Sequence, residues 1–237
     1  MSTNQKKLIG LDNIDNEQWK YTNIKKFHGF EFDNNYKQKP IIDDSKYDII
    51  INNNHFSASK KISDNINVSY LADATKNNNF KINQKSKELL EIKKNPFIDI
   101  NKGKSNHGII IYIKRNSAIK NTIKIKFEPN KCSTKKFINN RLFILVDKNV
   151  STSIVTYENF KETYNLNSLI ELFIEENSNV ELIQYSKKNF TTQIFNFSCI
   201  IKKNSSLNLI PIDIQAQLIK KNYYISLSGE NSSCNYN

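Results

Sequence analysis

Ile174-Glu175-Glu176-Asn177-Ser178 and Ile201-Lys202-Lys203-Asn204-Ser205 share one pattern: an apolar residue, two charged residues, then Asn followed by Ser. Three more segments align with them: Ile113-Lys114-Arg115-Asn116-Ser117, Val146-Asp147-Lys148-Asn149-Val150 and Ser228-Gly229-Glu230-Asn231-Ser232. Successive Asn residues are 33, 28, 27 and 27 positions apart. A near-constant period of this size marks stacked structural repeats. Asn tolerates the left-handed backbone that a sharp corner needs, and stacked Asn side chains can hydrogen-bond along a column.

The apolar residues keep register with the Asn. Before each corner, Ile111, Ile144, Leu172 and Cys199 form one column, and Ile113, Val146, Ile174 and Ile201 the next. After it come Ile119, Thr152, Val180 and Leu207. This is period-2 alternation inside a repeat of about 27 residues, as expected of short strands with one buried face. Strands stacked in parallel on their equivalents in the next coil would bury these columns as one core. The expected architecture over residues 106–237 is therefore a parallel β-helix; an antiparallel sandwich is the rival, since short, evenly spaced strands also suit one.

Residues 1–105 form a separate, mixed region. Asp15 to Gln18 has capping-box chemistry, and Trp19 to Phe27 follows as a short amphipathic element. Trp19, Tyr21 and Phe27 read as a local core or docking patch. Asp48-Ile49-Ile50-Ile51 reads as a strand, Asn77-Asn78-Asn79 as a loop, and Lys85 to Lys93 as a helix. Pro96 is expected to close the last helix of this region.

The 237 residues include 35 Lys+Arg and 23 Asp+Glu, a formal charge of +12. Only Arg115 and Arg141 are arginines, and the lysines are spread along the chain among 37 Asn. Nucleic-acid binders concentrate their cations on one face and favour Arg. Compositional drift explains this charge better, and nucleic-acid binding remains the alternative function. No apolar run approaches the ~20 residues of a membrane helix. The first residues lack an apolar h-region, so no secretory signal is expected. Three Cys form no disulfide framework, which suggests a reducing, cytoplasmic setting.

Candidate chemistry is sparse. Cys132, Cys199 and Cys234 are too far apart for a C-x-x-C pair, and cluster ligation normally uses grouped thiolates. Cys199 and Cys234 fall in inward columns and read as structural; Cys132, in a polar segment, is the one candidate reactive thiol. His28, His55 and His107 show no metal-binding spacing. Five Gly leave no phosphate-binding loop. Glu175-Glu176 reads as a solvated corner. No catalytic, cofactor-binding or metal-ligating residue is assigned, and no enzymatic activity is expected.

Glu17-Gln18-Trp19-Lys20-Tyr21-Thr22-Asn23 resembles the opening motif of the SufD family of iron–sulfur cluster assembly proteins. Asn54-His55-Phe56 resembles a short strand end of that family, with His55 where Gly is usual. Gly108 to Lys114 resembles the start of its core, and Arg141 to Val146 and Glu171 to Ser178 resemble later core strands. The resemblance implies a helical N-terminal region and a right-handed parallel β-helix. It also implies a non-catalytic scaffold role in a complex with SufB and the ATPase SufC. An Fe–S cluster would be handled only transiently, through that complex. Against this pattern the chain is expected to be truncated, lacking the end of the core and the C-terminal helical region that binds SufC. The uncapped last coil is then expected to expose Leu207, Leu209 and Ile201 and to favour association with a partner.

Overall fold

A computed structural model describes residues 19, 31–32, 46–52, 55–76, 82–90, 95–104, 108–129, 136–160, 165–188, 192–214 and 218–237. The chain from residue 109 on winds as a solenoid of two parallel sheets. Sheet I takes β5 (Ile109–Ile113), β7 (Lys136–Val146), β9 (Asn165–Ile174), β11 (Thr192–Ile201) and β13 (Leu218–Leu227), each paired in parallel with the next. Sheet II takes β6 (Ile123–Phe127), β8 (Ser151–Phe160), β10 (Asn179–Lys188), β12 (Ser206–Ile214) and β14 (Ser233–Tyr236) in the same way. The parallel pairing excludes the sandwich.

The register is the one the columns require. Ile111 pairs with Ile144, Ile144 with Leu172, Leu172 with Cys199, and Ile174 with Ile201. Thr152 pairs with Val180 and Val180 with Leu207. These side chains are buried in one continuous core between the sheets, apart from the hydroxyl-bearing Thr152, which is buried beside it.

The passage from sheet I to sheet II is the Asn corner. Asn116, Asn149, Asn177, Asn204 and Asn231 have φ of 58°, 59°, 58°, 54° and 57°. Each later Asn donates its Nδ2–H to Oδ1 of the one before, at 2.8, 3.2, 3.1 and 3.0 Å. The buried serines that follow add a second ladder. Ser205 Oγ accepts from the Ser178 N–H, and Ser178 Oγ from the Val150 N–H. Ser205 and Ser178 in turn donate to the Glu175 and Asp147 carbonyls. The last corner departs from the sequence alignment. Leu227, not Ser228, pairs with Ile201, so this corner holds one extra residue. A Cβ on Gly229 would lie 2.4 Å from the Lys203 backbone nitrogen, so only glycine fits there.

The N-terminal region builds directly onto the solenoid. β1 (Glu31–Phe32) pairs in parallel with β7. β2 (Ile49–Asn52) pairs in parallel with β6, and β3 (His55–Ala58) closes sheet II antiparallel to β2. β4 (Ile66–Tyr70) closes sheet I antiparallel to β5. The first coil is thus capped by antiparallel strands from the chain before it, which protects its edges.

Helices α1 (Leu71–Lys76), α2 (Ile82–Leu90) and α3 (Pro96–Lys104) cover the outer face of sheet I. Leu71, Ala74, Ile82 and Leu89 pack there on Ile110, Tyr112, Phe143, Leu145, Phe173 and Ile200. Pro96 opens α3 rather than closing the helix before it. Proline suits a first helical position, where its missing N–H would have no intrahelical partner. Asn95 caps this end, its Oδ1 accepting from the Phe97 N–H at 3.0 Å. Helix α2 begins at Ile82, three residues before the expected start, and its described part ends at Leu90. The Asp15–Gln18 cap, the Asn77–Asn79 loop and Tyr21 and Phe27 lie outside the described residues.

Candidate functional site

Far from the Asn corner the interior changes character. Alternation turns Asn140, Ser168 and Gln193 of sheet I inward, and Thr156, Glu158, Gln184 and Ser186 of sheet II. All seven are buried. Gln193 Nε2 donates to both Glu158 carboxylate oxygens, at 3.2 and 3.4 Å, and to Ser168 Oγ at 3.0 Å. The Tyr223 hydroxyl donates to Gln184 Oε1 at 2.9 Å. Burial drives the Tyr223 phenol far above its ordinary range, so it stays a neutral donor. One coil further on, Lys221 and the half-exposed Asp213 form an ion pair at 2.8 Å. This cluster runs from the buried Glu158 to the end of the solenoid at β13 and β14. Sequence reasoning misses it because the apolar columns mark only the stretch near the corner. The signal was polar residues at the inward parity of successive repeats, Thr156 over Gln184 and Glu158 over Ser186.

A second buried charge cluster lies outside, beneath α3. Glu171 accepts from Arg141 Nε at 2.8 Å and is paired with Lys102 Nζ at 2.8 Å. Burial lowers the Lys102 ammonium pKa, and Glu171 opposes that shift. Nearby, Asn101 Nδ2 donates to the Asn140 and Asn167 carbonyls, fixing α3 on the sheet. This arrangement has the geometry of a structural clamp.

Glu175 is not a solvated corner. It pairs with Lys85 of α2, while Lys202 pairs with Glu88 of the same helix. Both ammonium groups lie over the Phe173 ring, at 4.2 and 5.2 Å from its centroid. Glu176 is half-exposed and pairs with Lys148, which lowers its carboxyl pKa. Trp19 is buried against Phe97, their ring centroids 5.1 Å apart, with Lys220 Nζ 4.7 Å from its centroid. Of the two readings, local core or docking patch, Trp19 fits the local core.

Cys199 is fully buried, and burial holds its thiol pKa well above the ordinary value. Cys234 occupies the inward column above Leu207 and is half-buried. Cys132, His28 and His107 lie outside the described residues. His55 Nδ1 is 3.3 Å from the Tyr70 hydroxyl. Among the described residues, no three His, Cys, Asp or Glu are grouped to hold a metal. The expected exposure of the last coil is corrected as well: Leu207, Leu209 and Ile201 are buried beneath β13 and β14. Among the described residues, the large apolar side chains left exposed are instead Ile212, Ile214, Leu227 and Tyr236.

Two sheets of parallel strands, stacked coil on coil with a ladder at one corner, define a β-solenoid core. Residues 127–237 match the family described as SUF system FeS cluster assembly, SufBD core domain. Over that span, a little under half of its length, the chain is similar to SufB/SufD-type proteins. No curated protein and no solved structure matches it.

Proposed function

We propose that this chain is a non-catalytic, SufD-like scaffold subunit of a cytoplasmic Suf-type assembly complex. Its partners are homologues of SufB and of the ATPase SufC. The SufBD core match across residues 127–237 carries this reading. The build of the core supports it: cross-coil ladders make the solenoid stiff, as a frame for other subunits must be. In this reading the Fe–S cluster is cargo of the complex and touches the chain only transiently. At the corner, Lys148 is matched by Glu176 and Lys203 by Glu230, so these two lysines add no net charge there. The test is purification of the tagged chain from its native host at near-physiological salt. Recovery of SufB and SufC homologues in fixed ratio is expected. Recovery of the chain with neither would overturn the proposal, and recovery with nucleic acid, lost as salt is raised, would favour the alternative.

A further inference from the structure

Three buried polar atoms of the interior cluster have no hydrogen-bond partner: Asn140 Oδ1, Gln184 Nε2 and Ser186 Oγ. They come from both sheets, Asn140 from β7 and the other two from adjacent inward positions of β10. Each unsatisfied buried group destabilises the folded state, because its lost hydration is not replaced. Three of them would offset much of a domain's small net stability. The chemistry of the three is complementary, an acceptor, a donor, and a hydroxyl that serves as either. Turning the Gln184 amide end for end brings no relief. Its oxygen accepts from Tyr223 at 2.9 Å, so the turn only changes which atom is orphaned.

We propose that the interior of the solenoid holds ordered water between Asn140, Gln184 and Ser186. One water can donate to Asn140 Oδ1 and accept from Gln184 Nε2, and a neighbour can serve Ser186 Oγ. A buried water requires two to four such partners, and this cluster supplies them. Glu158, Gln193 and Ser168 form the inner wall of the site. Tyr223, Asp213 and Lys221 lie on its β12 and β13 side. Thr152 is the contrasting case. Its Oγ1 is also buried without a partner, but it sits in the column of Ile119, Val180 and Leu207, which offers a water no second polar group. By the same reasoning the proposal places no water there.

Magnetic relaxation dispersion of water oxygen-17 counts long-lived internal waters in solution. The full-length chain is compared with Ser186→Ala and with the double variant Asn140→Val, Ser186→Ala. The expected result is that the double variant loses dispersion amplitude worth about one water or more, with Ser186→Ala intermediate. An amplitude unchanged between the parent chain and Ser186→Ala, or no long-lived water in the parent chain, would overturn the proposal. Urea unfolding of Ser186→Ala gives an independent reading that needs no second substitution. If the hydroxyl were an unpaired dry group, its removal would raise the midpoint; with water bound, the midpoint stays or falls.

Discussion

Asn204 donates its side-chain N–H to Asn177 Oδ1 at 3.1 Å, and the two hold φ of 54° and 58° at equivalent corners of adjacent coils. One residue type thus meets two demands, a left-handed backbone and a lateral hydrogen bond. The demands can be separated by mutation. Asn177→Ala loses both and is expected to cost about 1–2 kcal/mol, mostly from the left-handed strain. Asn177→Gly relieves the backbone but breaks the ladder, and is expected to cost under about 1 kcal/mol. Urea unfolding of both variants checks the order. A glycine variant no better than alanine would mean the corner is not conformationally demanding.

Thr152→Val is expected to stabilise the chain by about 1 kcal/mol. The substitution keeps the shape, fits the apolar column and removes a buried hydroxyl without a partner. Thermal unfolding at matched concentration reads the shift, and a lowered midpoint would show that the hydroxyl is satisfied in solution.

Cys199 is expected to resist alkylation in the native state and to react only on unfolding. Its side chain is fully buried and its thiolate disfavoured. Cys199→Ser is expected to destabilise by roughly 1–3 kcal/mol, because it buries a hydroxyl among aliphatic neighbours. Peptide mapping after iodoacetamide treatment, with and without denaturant, tests this.

Glu171→Leu removes the carboxylate that Lys102 and Arg141 share beneath α3, and is expected to cost about 3–5 kcal/mol, the range for breaking a buried ion pair from one side. Adding Lys102→Met to that background is expected to recover part of the loss. Denaturant titration of the single and double variants decides it; equal stabilities would mean the two groups are uncoupled.

Tyr112 donates to Asp147 Oδ2 at 2.6 Å, and burial together with that bond pushes its phenol from 10.0 up to about 12. Between these values the folded state holds a proton that the unfolded state has lost. Its stabilising contribution is therefore complete below pH 10 and disappears as pH rises toward 12. The stability gap between the parent chain and Tyr112→Phe should narrow across that window. A gap that stays constant would place the Tyr112 pKa at its unfolded value.

The corner was legible because its cause is local. Five Asn in register each need a left-handed backbone, and the ladder follows from stacking. The outer face of sheet I was less legible, although Ile109-Ile110-Ile111-Tyr112-Ile113 is apolar at both parities, the mark of a strand buried on two sides. What covers it depends on packing by α1–α3, which no periodicity in the strand encodes. Pro96 was misread because the same ring both stops one helix and suits the first turn of the next. The extra residue at Gly229 escaped because the Asn spacing of 27 conceals a strand register of 26, the offset from Ile201 to Leu227. The polar interior was hidden by its distance from the corner that anchored the alignment.

Trp19 rests against Lys220, a residue 201 positions further along the chain. During synthesis the ribosome therefore releases the N-terminal element long before its seat on β13 exists. Strand-on-strand growth of the coils can proceed in the order of translation, each new coil templated by the last. The indole can meet Phe97 early, but its contact with Lys220 waits until β13 has emerged. The Lys220 contact thus forms after the Phe97 contact becomes possible, and the emission of the chain's single tryptophan is a built-in clock for it.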